Sequence, residues 1–270
     1  MKKRLGQHFL TSGKKLRKIV ESLDLKSGDI IIEIGPGHGE LTKELRIEDL
    51  GFRIIAIEKD ERLAENLRSK IHDLRLKNIK IITGDALKII PKLTQFSILN
   101  SKSYKLVGNI PYYITGQLLR ILGEIENKPS LIVLMIQKEV AERICAEPPK
   151  MNLLAASVQF WAKPEIISYV SKKYFRPAPK VDSAIIKLTA NSLQPTAKEA
   201  ENYYKFIKIL FKQPRKTILN NLIEANKREY LREKTQKEEV VKKIQKLKIN
   251  PTRRPQNLSL EQIKKYAEEV

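Results

Sequence analysis

Thiols are nearly absent from this chain: among its 270 residues only Cys145 is a cysteine. A disulfide framework is therefore impossible, and so is a zinc site built on paired thiolates. Long hydrophobic runs are missing too. None approaches the roughly 20 residues that a membrane span needs, and the start, "MKKRLGQHFL", is basic without the apolar segment of a secretory signal. These absences predict a soluble protein of the reducing cytoplasm with no membrane partner. Histidine occurs three times, and neither His38 nor His72 belongs to a metal-ligand pair, so no metal is expected. The P-C-x-x-C element of zinc deaminases is absent, which leaves the His38-Gly39-Glu40 tripeptide without its thiolate partners, and the G-x-x-x-x-G-K-[ST] loop of P-loop ATPases is absent too.

Acids are scarce beside bases, 31 Asp and Glu against 52 Lys and Arg, which leaves a formal charge of +21. An excess of this size favours a polyanionic partner, because each neutralised phosphate releases counterions and the summed field speeds encounter. A uniformly lysine-rich proteome would produce the same excess, so its distribution matters. Residues 1 to 20 carry Lys2, Lys3, Arg4, Lys14, Lys15, Arg17 and Lys18 with no acid, and "SKKYFRPAPK" carries Lys172, Lys173, Arg176 and Lys180 with none. Nucleic acid is the polyanion that such clusters fit best.

With 41% hydrophobic residues the chain can bury one large core and a smaller second one. The runs "DIIIEIG", "FRIIAIE", "NIKIITGD", "KLVGN" and "LIVLMIQ" have strand character. Between them "ELTKELRIEDL", "ERLAENLRSKIHDL" and "TGQLLRILGEI" have helical spacing. Strands alternating with helices predict an α/β domain with a doubly wound parallel sheet, whose ligands bind beyond the carboxyl ends of the strands. "TQFSILNSKSYK" is expected to be an extended loop. "TANSLQPTAKEA" has the composition of a linker, and the helical patterns beyond it carry no strand signal. The predicted division is a Rossmann-like domain with a basic arm over 1–190 and a small helical domain over 191–270.

The strand ends carry the chemistry. After the first strand, Gly35, Gly37 and Gly39 form G-x-G-x-G, one residue short of the dinucleotide fingerprint. That difference argues against a nicotinamide enzyme. Glu58 ends the second strand, where a carboxylate can accept both hydroxyls of a ribose. Asp85 follows the third, where a carboxylate can meet an adenine amino group. Glycine turns are common, and Glu58 or Asp85 alone would more often be a solvated helix cap; their order on successive strands is the informative feature. The fourth strand runs into "NIPYY". The exocyclic amine of adenine is a poor nucleophile because its lone pair is delocalised into the ring. Two acceptors, the Asn109 side-chain oxygen and the Ile110 carbonyl, would draw that lone pair out of the plane. Pro111 would fix the backbone direction, and Tyr112 would offer a π-face to a flipped base. The same residues are also compatible with a proline turn flanked by core tyrosines.

Taken with "GQHFL", "EIGPGHGELT", "IEKD", "GDAL", "NIPYYIT", "QKEVAERI", "FRPAPKVDSAIIKL", "FKQPRKTILNNL" and "RPQNLSLEQI", the chain resembles the ribosomal RNA adenine dimethyltransferases over nearly its whole length. The resemblance implies a class I fold dependent on S-adenosylmethionine, with a helical C-terminal domain that aids RNA recognition. It is strongest to the small-subunit branch, which dimethylates two adjacent adenosines in the 3′-terminal hairpin of small-subunit ribosomal RNA. The large-subunit, antibiotic-resistance branch and a non-catalytic RNA-binding assembly factor of the same fold are the alternatives. The resemblance places His8, Leu10, Gly35, Gly37, Glu58, Asp85 and Asn109 at the cofactor. It places Asn109, Ile110, Pro111 and Tyr112 at the target base, with Phe175 as an aromatic lid opposite Tyr112. Arg215 and Lys216 join the basic clusters as phosphate contacts. His8 stands where many members carry asparagine, and Pro214 where arginine is usual. A monomer acting on ribosomal RNA in the small subunit is expected.

Overall fold

Every residue of the run Ile30–Ile34 is buried, as a strand covered on both faces requires. This run is β2 of a computed structural model that describes residues 7–47, 51–95, 104–226, 237–246 and 250–269. Lys2, Lys3 and Arg4, most of the loop expected before the fourth strand, and the end of "RKTILNNLIEANKREYL" lie outside these residues.

The strands are β1 (Phe9–Leu10), β2 (Ile30–Ile34), β3 (Arg53–Glu58), β4 (Ile79–Thr83), β5 (Tyr104–Asn109), β6 (Leu131–Gln137), β7 (Ala162–Val170), β8 (Phe175–Arg176) and β9 (Ser183–Ala190). The helices are α1 (Gly13–Glu21), α2 (Glu40–Ile47), α3 (Glu61–Asp73), α4 (Ala86–Gln95), α5 (Thr115–Glu124), α6 (Lys138–Ile144), α7 (Leu153–Gln159), α8 (Ala197–Leu210), α9 (Ile218–Asn226), α10 (Lys237–Lys246) and α11 (Leu260–Glu269).

Seven strands form one sheet in the order β4-β3-β2-β5-β6-β9-β7. From β4 to β6 the pairs are parallel, as the sequence predicts, whereas β9 runs antiparallel to β6. The sequence alone does not resolve β7 and β9. The order reverses between β2 and β5, both of which pair with their neighbours in level register. Ile34 lies beside Ile57 on one side and Gly108 on the other. Gly108 allows this close approach, since a Cβ there would sit 2.6 Å from the Ile34 carbonyl oxygen. On one sheet face Leu16, Ile19 and Val20 of α1 and Leu41 and Leu45 of α2 join Ile31, Ile54, Val107 and Val133 in a single core.

Two compact units are present: Met1–Ala141 with Pro164–Ala190, and Glu142–Lys163 with Asn191–Val270. The sequence alone divides the chain once, at 190/191. The structure instead groups residues 142–163 with the C-terminal helices, because Ala155, Ala156 and Phe160 pack into their core. Phe160 stacks on Tyr203 with ring centroids 3.8 Å apart, beside Phe206, Leu210, Leu222, Ile263 and Tyr266. A capping box between Thr196 and Glu199 starts α8, so "TANSLQPTAKEA" ends as the first turn of a helix rather than as linker throughout.

Candidate active site

The level register of β2, β3, β4 and β5 brings Gly35, Glu58, Gly84–Asp85 and Asn109 to one edge of the sheet, at the switch in strand order. A cleft opens there, holding about 1000 Å³ of space up to and including its open mouth. Its floor is the glycine turn after β2. Gly37 has φ +61°, and a Cβ on it would come within 2.8 Å of the Phe9 ring. A left-handed backbone and a ring lying against it both demand glycine at this position.

Glu58 is 3% exposed and lines the cleft. Its Oε2 accepts from the Gly37 N–H at 3.0 Å and its Oε1 from the Asp60 N–H at 2.9 Å. Each carboxylate oxygen thus retains one acceptor site, which matches the two hydroxyls of a ribose. Asp85 Oδ1 takes the Leu87 N–H at 3.0 Å, and its Oδ2 forms an ion pair with Lys59 Nζ at 2.8 Å. Burial opposes ionisation of Asp85, but the Lys59 and Leu87 bonds outweigh it and hold the carboxyl below its ordinary value. Lys59 also lines the cleft. The sequence alone misses it, although it directly follows Glu58. A floor of glycine backbone beside one doubly buttressed carboxylate and one charged carboxylate fits a nucleoside-bearing cofactor.

The N-terminal segment forms one wall. Leu10 pairs with Phe175 across the β1–β8 ribbon, and the Thr11 N–H donates to the Tyr174 carbonyl at 2.8 Å. His8 Nδ1–H donates to the Pro177 carbonyl at 2.7 Å, which directs the imidazole to the chain at 177. The backbone carbonyl of His8 accepts from Asn109 Nδ2 at 2.9 Å. That bond orients the amide of Asn109, whose Oδ1 meets no donor among the described residues. Ile110, Pro111 and Tyr112 follow along the same cleft. Tyr112 is half-buried, its hydroxyl is 2.7 Å from Ser183 Oγ, and its ring stacks on His8 with centroids 6.0 Å apart. Burial raises the Tyr112 phenol above its ordinary value, keeping it neutral.

His8, Leu10, Gly35, Gly37, Glu58, Asp85, Asn109, Ile110, Pro111 and Tyr112 all line this one cleft. Phe175 does not. It is 3% exposed and packs in the core with Leu10, Leu16 and Val170, so the ring facing Tyr112 is His8 rather than Phe175. Ser183, the partner of Tyr112, is also missed by sequence reasoning, since its only signal is a place in "FRPAPKVDSAIIKL".

The basic residues have separate fates. Lys14, Arg17, Lys172, Lys173, Arg176, Lys180 and Arg215 are exposed. Lys18 is exposed and lies 3.8 Å from Glu21. Lys15 is bound internally, donating to Ser168 Oγ at 2.8 Å and to the Tyr169 carbonyl at 2.9 Å. Lys216 pairs with Glu224 at 3.1 Å. The buried side chain of Asn221 holds the turn of Pro214 and Arg215, bonding both the N–H and the carbonyl of Gln213 at 3.1 Å. Among the described residues no helix is long and apolar enough to cross a membrane.

A seven-stranded sheet in which β9 runs against the parallel strands, with a glycine-floored cleft at its switch point, defines the class I methyltransferase fold. Solved structures agree. A dimethyladenosine transferase from Plasmodium falciparum matches over 97% of both chains with a TM-score of 0.78 and 26% identity. The 23S rRNA methyltransferase ErmE matches over 97% of this chain and 99% of its own with a TM-score of 0.72; at 23% identity it speaks for the fold alone. The family model for ribosomal RNA adenine dimethylase matches residues 1–254, and the chain belongs to that family. Relatives named ribosomal RNA small subunit methyltransferase A include one from Dehalococcoides mccartyi, 40% identical over 97% of this chain and 86% of its own length. Another from Lactobacillus helveticus is 36% identical over 100% and 91%.

Proposed function

We propose that this protein transfers methyl groups from S-adenosylmethionine to the N6 amine of two adjacent adenosines in the 3′-terminal hairpin of small-subunit ribosomal RNA, in the cytoplasm and as a monomer. The observation that carries the reading is the Asn109 amide, oriented by the His8 carbonyl and set beside Ile110 and Tyr112 in the cleft that also holds Glu58 and Asp85. The small-subunit names of relatives at 36–41% identity favour that substrate over a large-subunit one. An intact Asn109–Tyr112 segment favours an enzyme over a non-catalytic assembly factor.

When bound, the cofactor supplies an electrophilic methyl group on a sulfonium. Glu58 would accept the ribose hydroxyls on its two remaining acceptor sites, Asp85 would meet the adenine amine of the cofactor, and the Gly35–Gly37 backbone would admit the chain close to it. His8 contributes its backbone carbonyl to the positioning of Asn109 rather than a side-chain contact. At the substrate base, Asn109 Oδ1 and the Ile110 carbonyl accept from the amine and aim its lone pair out of the ring plane. Both contacts strengthen as positive charge develops on nitrogen, which is where they lower the barrier. The alkylated amine is acidic enough to lose its proton to water, so no dedicated base is needed. Tyr112 stacks on the flipped base with its hydroxyl tied back to Ser183. Phe175 could act as a second ring only after leaving its core position. The exposed Lys14, Arg17, Lys18, Lys172, Lys173, Arg176, Lys180, Arg215 and Lys216 would contact phosphates.

Small ribosomal subunits lacking the modification, incubated with the protein and labelled donor, should acquire label as dimethyladenosine in their RNA. Label in large-subunit RNA alone, or none on adenosine, would overturn the reading.

A further inference from the structure

Glu33 is a buried acid in the cleft to which the mechanism above assigns no role. It is the fourth residue of β2, it is 1% exposed, and it lines the same cavity as Glu58. Its Cα neighbours on the adjoining strands are Ala56 and Val107, which offer it nothing polar from their side chains. Oε2 accepts from Thr42 Oγ1 at 2.7 Å, and Oε1 has no partner. The charges acting on it are Glu58 on β3 and Glu40 on α2, both of its own sign. A carboxylate so placed is strongly disfavoured without a cation. A glutamine would keep the shape and the Thr42 bond without that penalty, so the acid calls for a cation from outside the chain.

The proposed donor brings one. It carries a sulfonium and an ammonium against one carboxylate, and it loses the sulfonium charge when the methyl leaves. We propose that Glu33 is a proton-linked discriminator between donor and product: it ionises when the cationic donor enters, releasing its proton to solvent, and takes a proton back once the neutral thioether remains. The spent product is then held less tightly than the donor, which favours its exchange. Consistent with this role, burial first, with the Glu58 and Glu40 charges adding to it and the Thr42 bond opposing, pushes the carboxyl up to about 7. It is therefore balanced between its two forms near neutral pH. This inference rests on the proposed identity of the methyl donor.

Calorimetry on the full chain in buffers of different ionisation enthalpy counts the protons released. The two probes are S-adenosylmethionine and S-adenosylhomocysteine, each at pH 6, 7 and 8. Both carry the same ammonium, so the difference between them isolates the response to the sulfonium. The donor should release more protons than the product by about 0.9 at pH 6, about 0.5 at pH 7 and about 0.1 at pH 8. The ratio of product to donor dissociation constants should rise about tenfold from pH 6 to pH 8. In Glu33→Gln both effects should vanish while both ligands still bind. Equal proton counts for the two ligands in the unaltered protein would overturn the inference without recourse to any variant. So would an undiminished difference in folded Glu33→Gln. Failure of the unaltered protein to bind either ligand would instead sink the cofactor assignment.

Discussion

Replacing Glu58 by glutamine, nearly isosteric, should be as harmful to cofactor binding as replacing it by alanine. Both carboxylate oxygens are already used inside the protein, one by the Gly37 N–H at 3.0 Å and one by the Asp60 N–H at 2.9 Å. A glutamine has one oxygen and one NH2, so whichever way it turns it sets a donor against a backbone donor. With Glu58 only 3% exposed, water cannot readily take the orphaned N–H, and leaving a buried donor unmade costs about 1–3 kcal/mol. The cofactor suffers twice: one ribose hydroxyl loses its acceptor, and the Gly37 turn loses its tether. Each charge-assisted bond has a worth of about 1.5–3 kcal/mol, so removing even one should raise the dissociation constant at least about tenfold. Calorimetric titration with S-adenosylmethionine measures this, and a thermal melt of the free protein should fall by several degrees in parallel. A folded Glu58→Gln variant that binds the cofactor with parental affinity would refute both the ribose assignment and the buttressing argument.

Tyr112→Phe should keep most single-turnover activity while lowering stability by about 1 kcal/mol, because fully buried Ser183 loses its phenol partner; Tyr112→Ala should instead lose about 1–3 kcal/mol of base stacking, read as weaker RNA binding and slower transfer. Neutralising Lys14, Arg17 and Lys18 should flatten the dependence of log RNA affinity on log salt, by about 0.9 for each phosphate that no longer meets a cation. Lys15→Ala should lower the melting temperature with little effect on that slope, since its ammonium is held by Ser168 and Tyr169. In the free protein the Glu33 carboxyl binds its proton more tightly folded (about 7) than unfolded (4.5). Its contribution is full below the unfolded value and is lost as pH rises through 7. Denaturant titrations should therefore show the unaltered protein losing about 2–3 kcal/mol relative to Glu33→Gln between pH 5 and 8.

The parallel half of the sheet is legible in the sequence because Ile30–Ile34 and Leu131–Gln137 are short runs apolar on both faces apart from Glu33 and the terminal Gln137, a pattern that suits a strand covered on two sides. Glu58 and Asp85 are legible from their places after such strands. Other features depend on tertiary contacts that no local pattern announces. In α1 the charge of "GKKLRKIVE" masks a buried stripe of Leu16, Ile19 and Val20, and α4 runs through Pro91. β7 alternates unevenly in burial, and it takes its place in the sheet beside β9, not beside a sequence neighbour. The turn from Phe175 into the core follows from the pairing of β8 with β1, two strands of two residues each. Lys59 acquires its role only because the ends of β3 and β4 lie level, bringing it to Asp85. Glu33 looks like one polar residue in an isoleucine strand until Thr42 and Glu58 are folded around it.

Asn109 is the residue on which the proposed mechanism turns: its amide donates to the His8 carbonyl, and in that mechanism its Oδ1 polarises the attacking amine. The most direct measurement is single-turnover methyl transfer by Asn109→Ala at saturating donor and RNA, with donor affinity measured on the same variant. Removing one preorganised acceptor should slow the step on the order of a hundredfold or more. Transfer at the parental rate under these conditions would contradict the account and leave "NIPYY" as a turn.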